Sequence, residues 1–305
     1  MNNRAIVPLC PLDTAPVQQL CMGNVQVLRL DQWGGVAAGN KRFKLRRHLA
    51  RATEQGMGRV LSFGGAWSNH LHALAAVGAE LGLQTIGIIR GGEQPTPMLE
   101  DARAWGMELV PVSRQEYRRR YESAYLETLA ARYAPCLVVP EGGGGPEGVR
   151  GCVEIAELIN RLDRHWSRVV VAVGTGTTLA GLAAGLECAD ELIGVSALKG
   201  AGALADTVQQ ALADSGLQAK VPWRLKHDYH CGGFARTSPA LRAFLQAFEQ
   251  VQKVQLEPVY TAKALYAVHT MLRSGQWSPT EPVLFVHTGG LQGRRGYTWL
   301  NQGCE

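Results

Sequence analysis

Lysine is scarce in this chain of 305 residues: of 31 basic side chains 24 are arginine and 7 are lysine, and only Lys41 and Lys44 precede Lys199. The seven cysteines (Cys10, Cys21, Cys136, Cys152, Cys188, Cys231, Cys304) contain no C-x-x-C pair. An odd number at wide spacing argues against a disulfide framework or a zinc site and for a reducing compartment. No apolar run approaches membrane-spanning length. The opening MNNRAIVPLCPLDTAP, broken by three prolines, does not resemble a signal peptide, so a cytoplasmic location and no membrane partner are expected. Internal repeats and low-complexity tracts are also missing. What is there is ordinary globular material, 46% hydrophobic and 19% charged, enough for one large or two medium cores. The net charge of +5 gathers at 41–47 and at 114–120. The second stretch, with Arg114, Arg118, Arg119 and Arg120, reads as a solvated helix face ahead of a nucleic-acid patch, and no nucleic-acid partner is expected.

Short β-branched runs at 59–63, 85–89, 108–112, 136–139, 169–173, 192–195 and 283–286 alternate with segments of helical period, among them 68–81, 116–133, 147–162 and 177–186. This alternation predicts an α/β fold with mostly parallel sheets covered on both faces. Four runs end in polar or glycine-rich loops (GGAWSN, PEGGGG, GTGTT and HTGG), and ligands of open α/β sheets bind at such strand ends. The glycine run 142–145 reads as a crossing between two domains.

Lys41 and Lys44, in GNKRFKL, fall on the same side of a helix. Guanidinium stays charged where a desolvated or cation-flanked amine loses its proton, so a lysine kept in an arginine-rich chain is a candidate for amine chemistry, with surface charge as the plainer reading. The stretch from Val169 through Gly174, Thr175, Gly176, Thr177 and Thr178 is a buried strand, a Gly/Thr turn and a helix start. Free N–H groups and the helix dipole there suit an anion, and three hydroxyls add donors. No lysine follows as in a Walker loop, and Leu179 stands where a dinucleotide fingerprint has its third glycine, so a lone phosphate cup is favoured over a ligand-free turn. In Trp67-Ser68-Asn69-His70, Ser68 and Asn69 are helix caps or ligands for a carboxylate or phenolate. His70 and His72 do not share a helix face, and metal is discounted. Tyr260 suits core packing or stacking on a planar ligand, and Thr288 suits a turn or a partner for a ring nitrogen.

Together and in this order, GNKRFKL (39–45), SNH (68–70), GTGTT (174–178), EPVYTAK (257–263) and HTGG (287–290) resemble the family of 1-aminocyclopropane-1-carboxylate deaminase and D-cysteine desulfhydrase, over about 25–290. That family is tryptophan-synthase-β-like, fold type II, and uses pyridoxal 5'-phosphate. The resemblance implies two open, mostly parallel three-layer domains with the cofactor between them. The larger would comprise 1–40 and 146–305, the smaller 41–145. It implies a small amino-acid substrate and a homodimer. Lys41 would carry the cofactor as a Schiff base, with Lys44 assisting. Ser68, Asn69 and His70 would hold the substrate carboxylate beside Trp67, with Asn69 also near the cofactor's phenolic oxygen. Gly174, Thr175, Gly176, Thr177 and Thr178 would hold the phosphate, Tyr260 would lie against the ring and substrate, and Thr288 would face the pyridine nitrogen. Lys41, Ser68 and Tyr260 thereby take the catalytic roles.

The ring-opening deaminases resemble VYEGK, whereas Tyr260-Thr261 and HTGG look like the desulfhydrase branch. The chain departs from the family's pattern at Trp67 (usually glutamine), at Phe234 (a tyrosine in G-Y-G), at 142–145 (usually G-G-S-N) and at Ala38. The expected reaction is elimination or deamination giving keto acid and ammonia. Its rivals are cyclopropane ring opening, another small-amino-acid lyase or racemase, a ligand-binding relative without turnover, and a nicotinamide dehydrogenase.

Overall fold

In β7 (Trp166–Val173), Val169, Val171 and Val173 enter one apolar cluster while Val170 and Ala172 enter another. That period of two, with both faces buried, is the signature of a central strand covered on both sides. The computed structural model describes residues 16–92 and 95–300, so the proline-rich opening, Cys10 and Cys304 lie outside it. β7 belongs to a six-stranded sheet. Beside it run β1 (Val17–Gln19), β2 (Val25–Arg29), β8 (Ala189–Ser196), β9 (Trp223–Lys226) and β10 (Val283–His287), in the order β1-β2-β10-β7-β8-β9. Only β1 is antiparallel, and Val283 opposite Val25 and Val169 opposite Leu192 fix the register. A second sheet of β3 (Arg59–Gly64), β4 (Gln84–Arg90), β5 (Glu108–Val112) and β6 (Cys136–Val138) is wholly parallel, ordered β5-β4-β3-β6.

Helices cover both faces of each sheet. α6 (Gly145–Asn160), α7 (Thr177–Gly185) and α8 (Leu204–Asp214) close one face of the large sheet; α9 (Pro239–Gln252) and α10 (Thr261–Arg273) close the other. On the small sheet α2 (Asn69–Leu81) and α3 (Pro97–Ala104) oppose the 114–132 segment. α1 (Asn40–Glu54) belongs to both bodies, for Phe43 joins the large-sheet core while Leu45, Leu49 and Ala52 join the small-sheet core. Its close approach to α6 depends on Gly151, where a Cβ would meet the Phe43 carbonyl oxygen at 2.1 Å. The fold is therefore α/β with two open, mostly parallel sheets.

One expectation is corrected. The single helix over 116–133 is broken into α4 (Arg114–Arg118), a 3-10 turn at Arg119–Tyr121 and α5 (Ser123–Arg132). Extended Glu122 (φ −82°, ψ 121°) separates them, and Tyr117, Arg120 and Tyr121 all turn to the Glu141 carboxylate. Strands β1 and β9 are too short to stand out in the sequence, and Gln26 and Arg29 interrupt the apolar run of β2. The arginine stretch is a set of ion pairs and ring contacts: Arg119 meets Glu122, and Arg120 meets Glu141 over the Tyr117 and Tyr121 rings. Among the described residues no helix is long and apolar enough to cross a membrane.

Candidate active site

The start of α1 is fastened to the end of β10. Gly39 has φ +107°, and a Cβ on it would lie 2.4 Å from the Thr288 carbonyl oxygen. The Asn40 N–H donates to that same oxygen at 3.1 Å. Only glycine allows this approach in that conformation. From the anchored turn, Asn40 donates through Nδ2 to Thr178 Oγ1 (2.9 Å) and accepts through Oδ1 from Lys41 Nζ (3.1 Å). Lys41 is thus tied through one side chain to the glycine-threonine loop. Lys44 Nζ lies 3.5 Å from Thr175 Oγ1, the outer limit of a hydrogen bond. Burial, with the Lys44 charge second, brings the Lys41 amine down to about 7, and burial lowers Lys44 as well.

The loop between β7 and α7 turns at Gly176 (φ +84°), which caps α7. Thr175 and Thr177 hydroxyls lie 3.2 Å apart, and the first N–H groups of α7 have no acceptor within the helix. Leu179, fully buried in the core, rules out the close approach that a dinucleotide fingerprint requires at that position. The glycine run 142–145 lies against this loop and against α1. A Cβ on Gly142 would come within 3.2 Å of Thr175 Cγ2, and one on Gly143 within 3.0 Å of Lys44 Cβ.

At the start of α2, Ser68 Oγ accepts the Leu71 N–H (3.2 Å) as an N-cap, leaving the N–H groups of Asn69 and His70 facing outward from the helix end. Asn69 Oδ1 accepts from Gln292 Nε2 (3.0 Å), and its Nδ2 would meet a Cβ on Gly290 at 2.9 Å. Trp67 is 43% exposed and packs on Gly296. The His70 side chain turns inward, with Nε2 2.8 Å from Ser62 Oγ, while Ser62 also donates to the Val139 carbonyl at 2.8 Å. Burial, then Lys41 and Lys44, holds the imidazole pKa well below its ordinary value, so it is neutral. Its Nδ1, buried and without a partner among the described residues, faces Gly143. Any role of this residue toward a carboxylate falls to its backbone N–H. His72 is occupied by Asp101 at 2.9 Å, and among the described residues no group of three His, Cys, Asp or Glu is placed to hold a metal.

Tyr260 lies against the cup, for a Cβ on Gly174 would touch its ring at 3.0 Å. Its position is set by Glu257, to which no role follows from the sequence. The Glu257 carboxylate accepts the N–H groups of Val259 (2.8 Å), Tyr260 (2.5 Å) and Thr261 (2.7 Å), capping α10. Burial raises its pKa to about 7. Thr288 closes the arrangement, its carbonyl on α1 and its residue 8% exposed.

These groups fit a flat aldehyde carrying a phosphate: a buried amine titrating near neutrality, a hydroxyl-rich helix start within reach of a second amine, and a tyrosine ring alongside. Residues 24–289 match the family described as pyridoxal-phosphate dependent enzyme. The D-cysteine desulfhydrase of Klebsiella pneumoniae is 32% identical, over 92% of this chain and 91% of its own. A Thermotoga maritima protein, provisionally named 1-aminocyclopropane-1-carboxylate deaminase, is 32% identical over 88% and 89%. A crystal structure described as an ACC deaminase homologue superposes with a TM-score of 0.82 at 26% identity, over 97% and 94% of the two chains. The nicotinamide alternative is overturned by this match. With its mostly parallel two-sheet fold, and its match to the family model over 24–289, the chain belongs to the pyridoxal-phosphate-dependent enzymes of fold type II.

Proposed function

We propose that the protein catalyses pyridoxal-phosphate-dependent α,β-elimination or deamination of a small amino acid, in the manner of D-cysteine desulfhydrase, releasing keto acid and ammonia. The observation that carries this reading is the Lys41 amine, with a pKa of about 7, tied through Asn40 to the threonine-lined cup. When bound, the cofactor supplies the electron sink for carbanion chemistry at Cα. The phosphate is assigned to Gly174, Thr175, Gly176, Thr177 and Thr178, with Lys44 as its nearby cation. Ser68 Oγ and the Asn69 and His70 N–H groups orient the substrate carboxylate, whose charge the N-terminus of α2 favours. Lys41 Nζ, available unprotonated near neutrality, takes the Cα proton. Tyr260 bounds the ring on one side, Asn69 meets the phenolic oxygen, Trp67 borders the substrate, and Thr288 faces the pyridine nitrogen. The reading also carries a cytoplasmic homodimer and a division into 1–40 with 146–305 and 41–145.

Ring opening is the second reading on this scaffold. Against it stands Thr261, fully buried, whose hydroxyl accepts the Glu257 N–H at 2.8 Å and so presents no group to the cleft. Racemisation, and a relative that binds without turnover, are separated from elimination by product. The test is keto-acid release by the cofactor-loaded protein from D-cysteine, L-cysteine and 1-aminocyclopropane-1-carboxylate. Elimination predicts pyruvate and sulfide from one cysteine enantiomer. 2-Oxobutanoate from the cyclopropane as the dominant product, or no keto acid from any of the three, would reject the proposal.

A further inference from the structure

Of the five large apolar side chains exposed among the described residues, Val36 and Val251 are scattered aliphatics, while the other three are aromatic: Trp67 (43%), Phe234 (52%) and Tyr121 (67%). Trp67 and Phe234 lie beside residues of the proposed site. Trp67 directly precedes Ser68 and Asn69. The Phe234 ring lies 6.1 Å from that of Tyr260. Tyr121 donates to Glu141, which directly precedes the glycine run 142–145. Scattered exposed apolar residues need no explanation, but aromatic rings gathered beside a candidate site do.

The rings are held in place. Trp67 is seated on Gly296, where a Cβ would approach its ring to 3.1 Å, and the preceding Ala66 carbonyl accepts the Thr96 hydroxyl at 2.6 Å. The loop presenting Phe234 is fastened on both sides. The buried Lys263 ammonium donates to the Gly233 carbonyl at 2.7 Å, and the Tyr297 hydroxyl to the Ala235 carbonyl at 3.1 Å. Tyr121 stacks with Arg120, whose guanidinium carbon sits 4.2 Å from its ring centre, and shares Glu141 with it. Exposed aromatic faces already fixed in position form an apolar wall that loses little entropy when something covers it. Free cysteine carries only a thiol beyond Cβ and has no apolar group to place against those rings.

We infer that the substrate carries a bulky apolar or aryl group on the atom attached to Cβ, as in an S-aryl cysteine, and that Trp67 and Phe234 select for it. The inference rests on the proposed elimination. The Cα–H and Cβ–S bonds break, Lys41 takes the Cα proton, and the electron pair leaves with sulfur as the thiol. One water hydrolyses the remaining unsaturated amine, so that S-aryl cysteine plus water gives aryl thiol, pyruvate and ammonium without net oxidation or reduction.

The test uses the cofactor-loaded protein with S-methylcysteine and S-phenylcysteine of both configurations, which differ only in the group the rim would meet. For the reactive enantiomer, kcat/KM for the phenyl compound should exceed that for the methyl compound by about tenfold or more, mostly through KM. That ratio should fall by about tenfold in Trp67→Gln and in Phe234→Ser. Equal or better use of S-methylcysteine, or a ratio unchanged in both variants, overturns the inference and leaves the elimination standing. If neither compound yields keto acid, the elimination fails, and titration of the visible cofactor band with the same two compounds still judges the rim: tighter binding of the phenyl compound upholds it, and equal binding rejects it. A fall to monomer in the variants with an unchanged ratio would assign the rings to a subunit contact instead.

Discussion

Lys41 and Lys263 are both withdrawn from water, and burial lowers the amine pKa of each. Their company differs. Lys263, fully buried in α10, donates to the Gly233 and Ala197 carbonyls at 2.7 and 3.4 Å, and the Cys231 and Glu257 charges favour its protonated form. Lys41 has one neutral amide oxygen as acceptor and, as the second cause of its shift after burial, the positive Lys44, which outweighs the opposing Cys152 and Glu257 charges. Desolvation alone therefore does not make a reactive amine. Acceptors that stabilise the ammonium turn a buried lysine into a structural tie, whereas a second cation and few acceptors leave it free to lose its proton.

Exchanging the two roles gives the largest expected effect. Lys41→Ala should lower turnover by about a thousandfold and remove the visible cofactor band. Lys263→Met should keep the band but destabilise the fold by about 1–3 kcal/mol, because the Gly233 carbonyl loses its charged donor. Loss of the band in Lys263→Met with retention in Lys41→Ala would reverse the comparison. Chemical denaturation and a visible spectrum read both outcomes.

Next is the Lys44 charge. In cofactor-free protein, modification of Lys41 by an aldehyde and a reductant should rise with pH through about 7, far below the ordinary 10.5. In Lys44→Met the midpoint should move up toward that ordinary value, since a neighbouring cation is removed. A midpoint that stays or falls would show that Lys44 does not tune the amine.

Glu257 supplies the complementary case of a buried acid. Its carboxyl pKa of about 7 against the ordinary 4.5 means that the folded chain keeps a proton the unfolded chain releases over that interval. Its contribution is full below about 4.5 and is lost as pH rises to about 7, by on the order of 1–3 kcal/mol. Urea midpoints should therefore fall across that window, and Glu257→Gln should flatten the slope. The smallest effect belongs to an exposed cation. Arg119, half exposed opposite Glu122, should change stability by less than about 1 kcal/mol on substitution by glutamine. A larger loss would mean that surface pairs contribute as much here as buried ties.

Much of this was legible before any coordinates. The valine run of β7 and the strand at 283–286 stand out because residues buried on both faces leave a continuous apolar run. Lys41 and the 174–178 loop drew attention because amine chemistry and an anion cup each admit few residue types, whereas the close approach at Gly39 shows only in the fold. Side-chain direction was not. Nothing in S-N-H says that His70 turns toward Ser62, since a helix start presents its N–H groups whichever way the side chain goes. The break after Tyr121 depends on Glu141, twenty residues on, and a local helical period cannot register it. Glu257 escaped notice because its partners are backbone N–H groups, which leave no trace in residue types.

One measurement bears most directly on Lys41. The cofactor-loaded protein is reduced with borohydride, digested, and mapped by mass spectrometry for the lysine that carries the pyridoxyl phosphate. The account predicts the added mass on Lys41 in near-stoichiometric yield, with Lys44 and Lys263 unmodified. Label on Lys44 or Lys263 instead, or none on a protein that remains active, would contradict it.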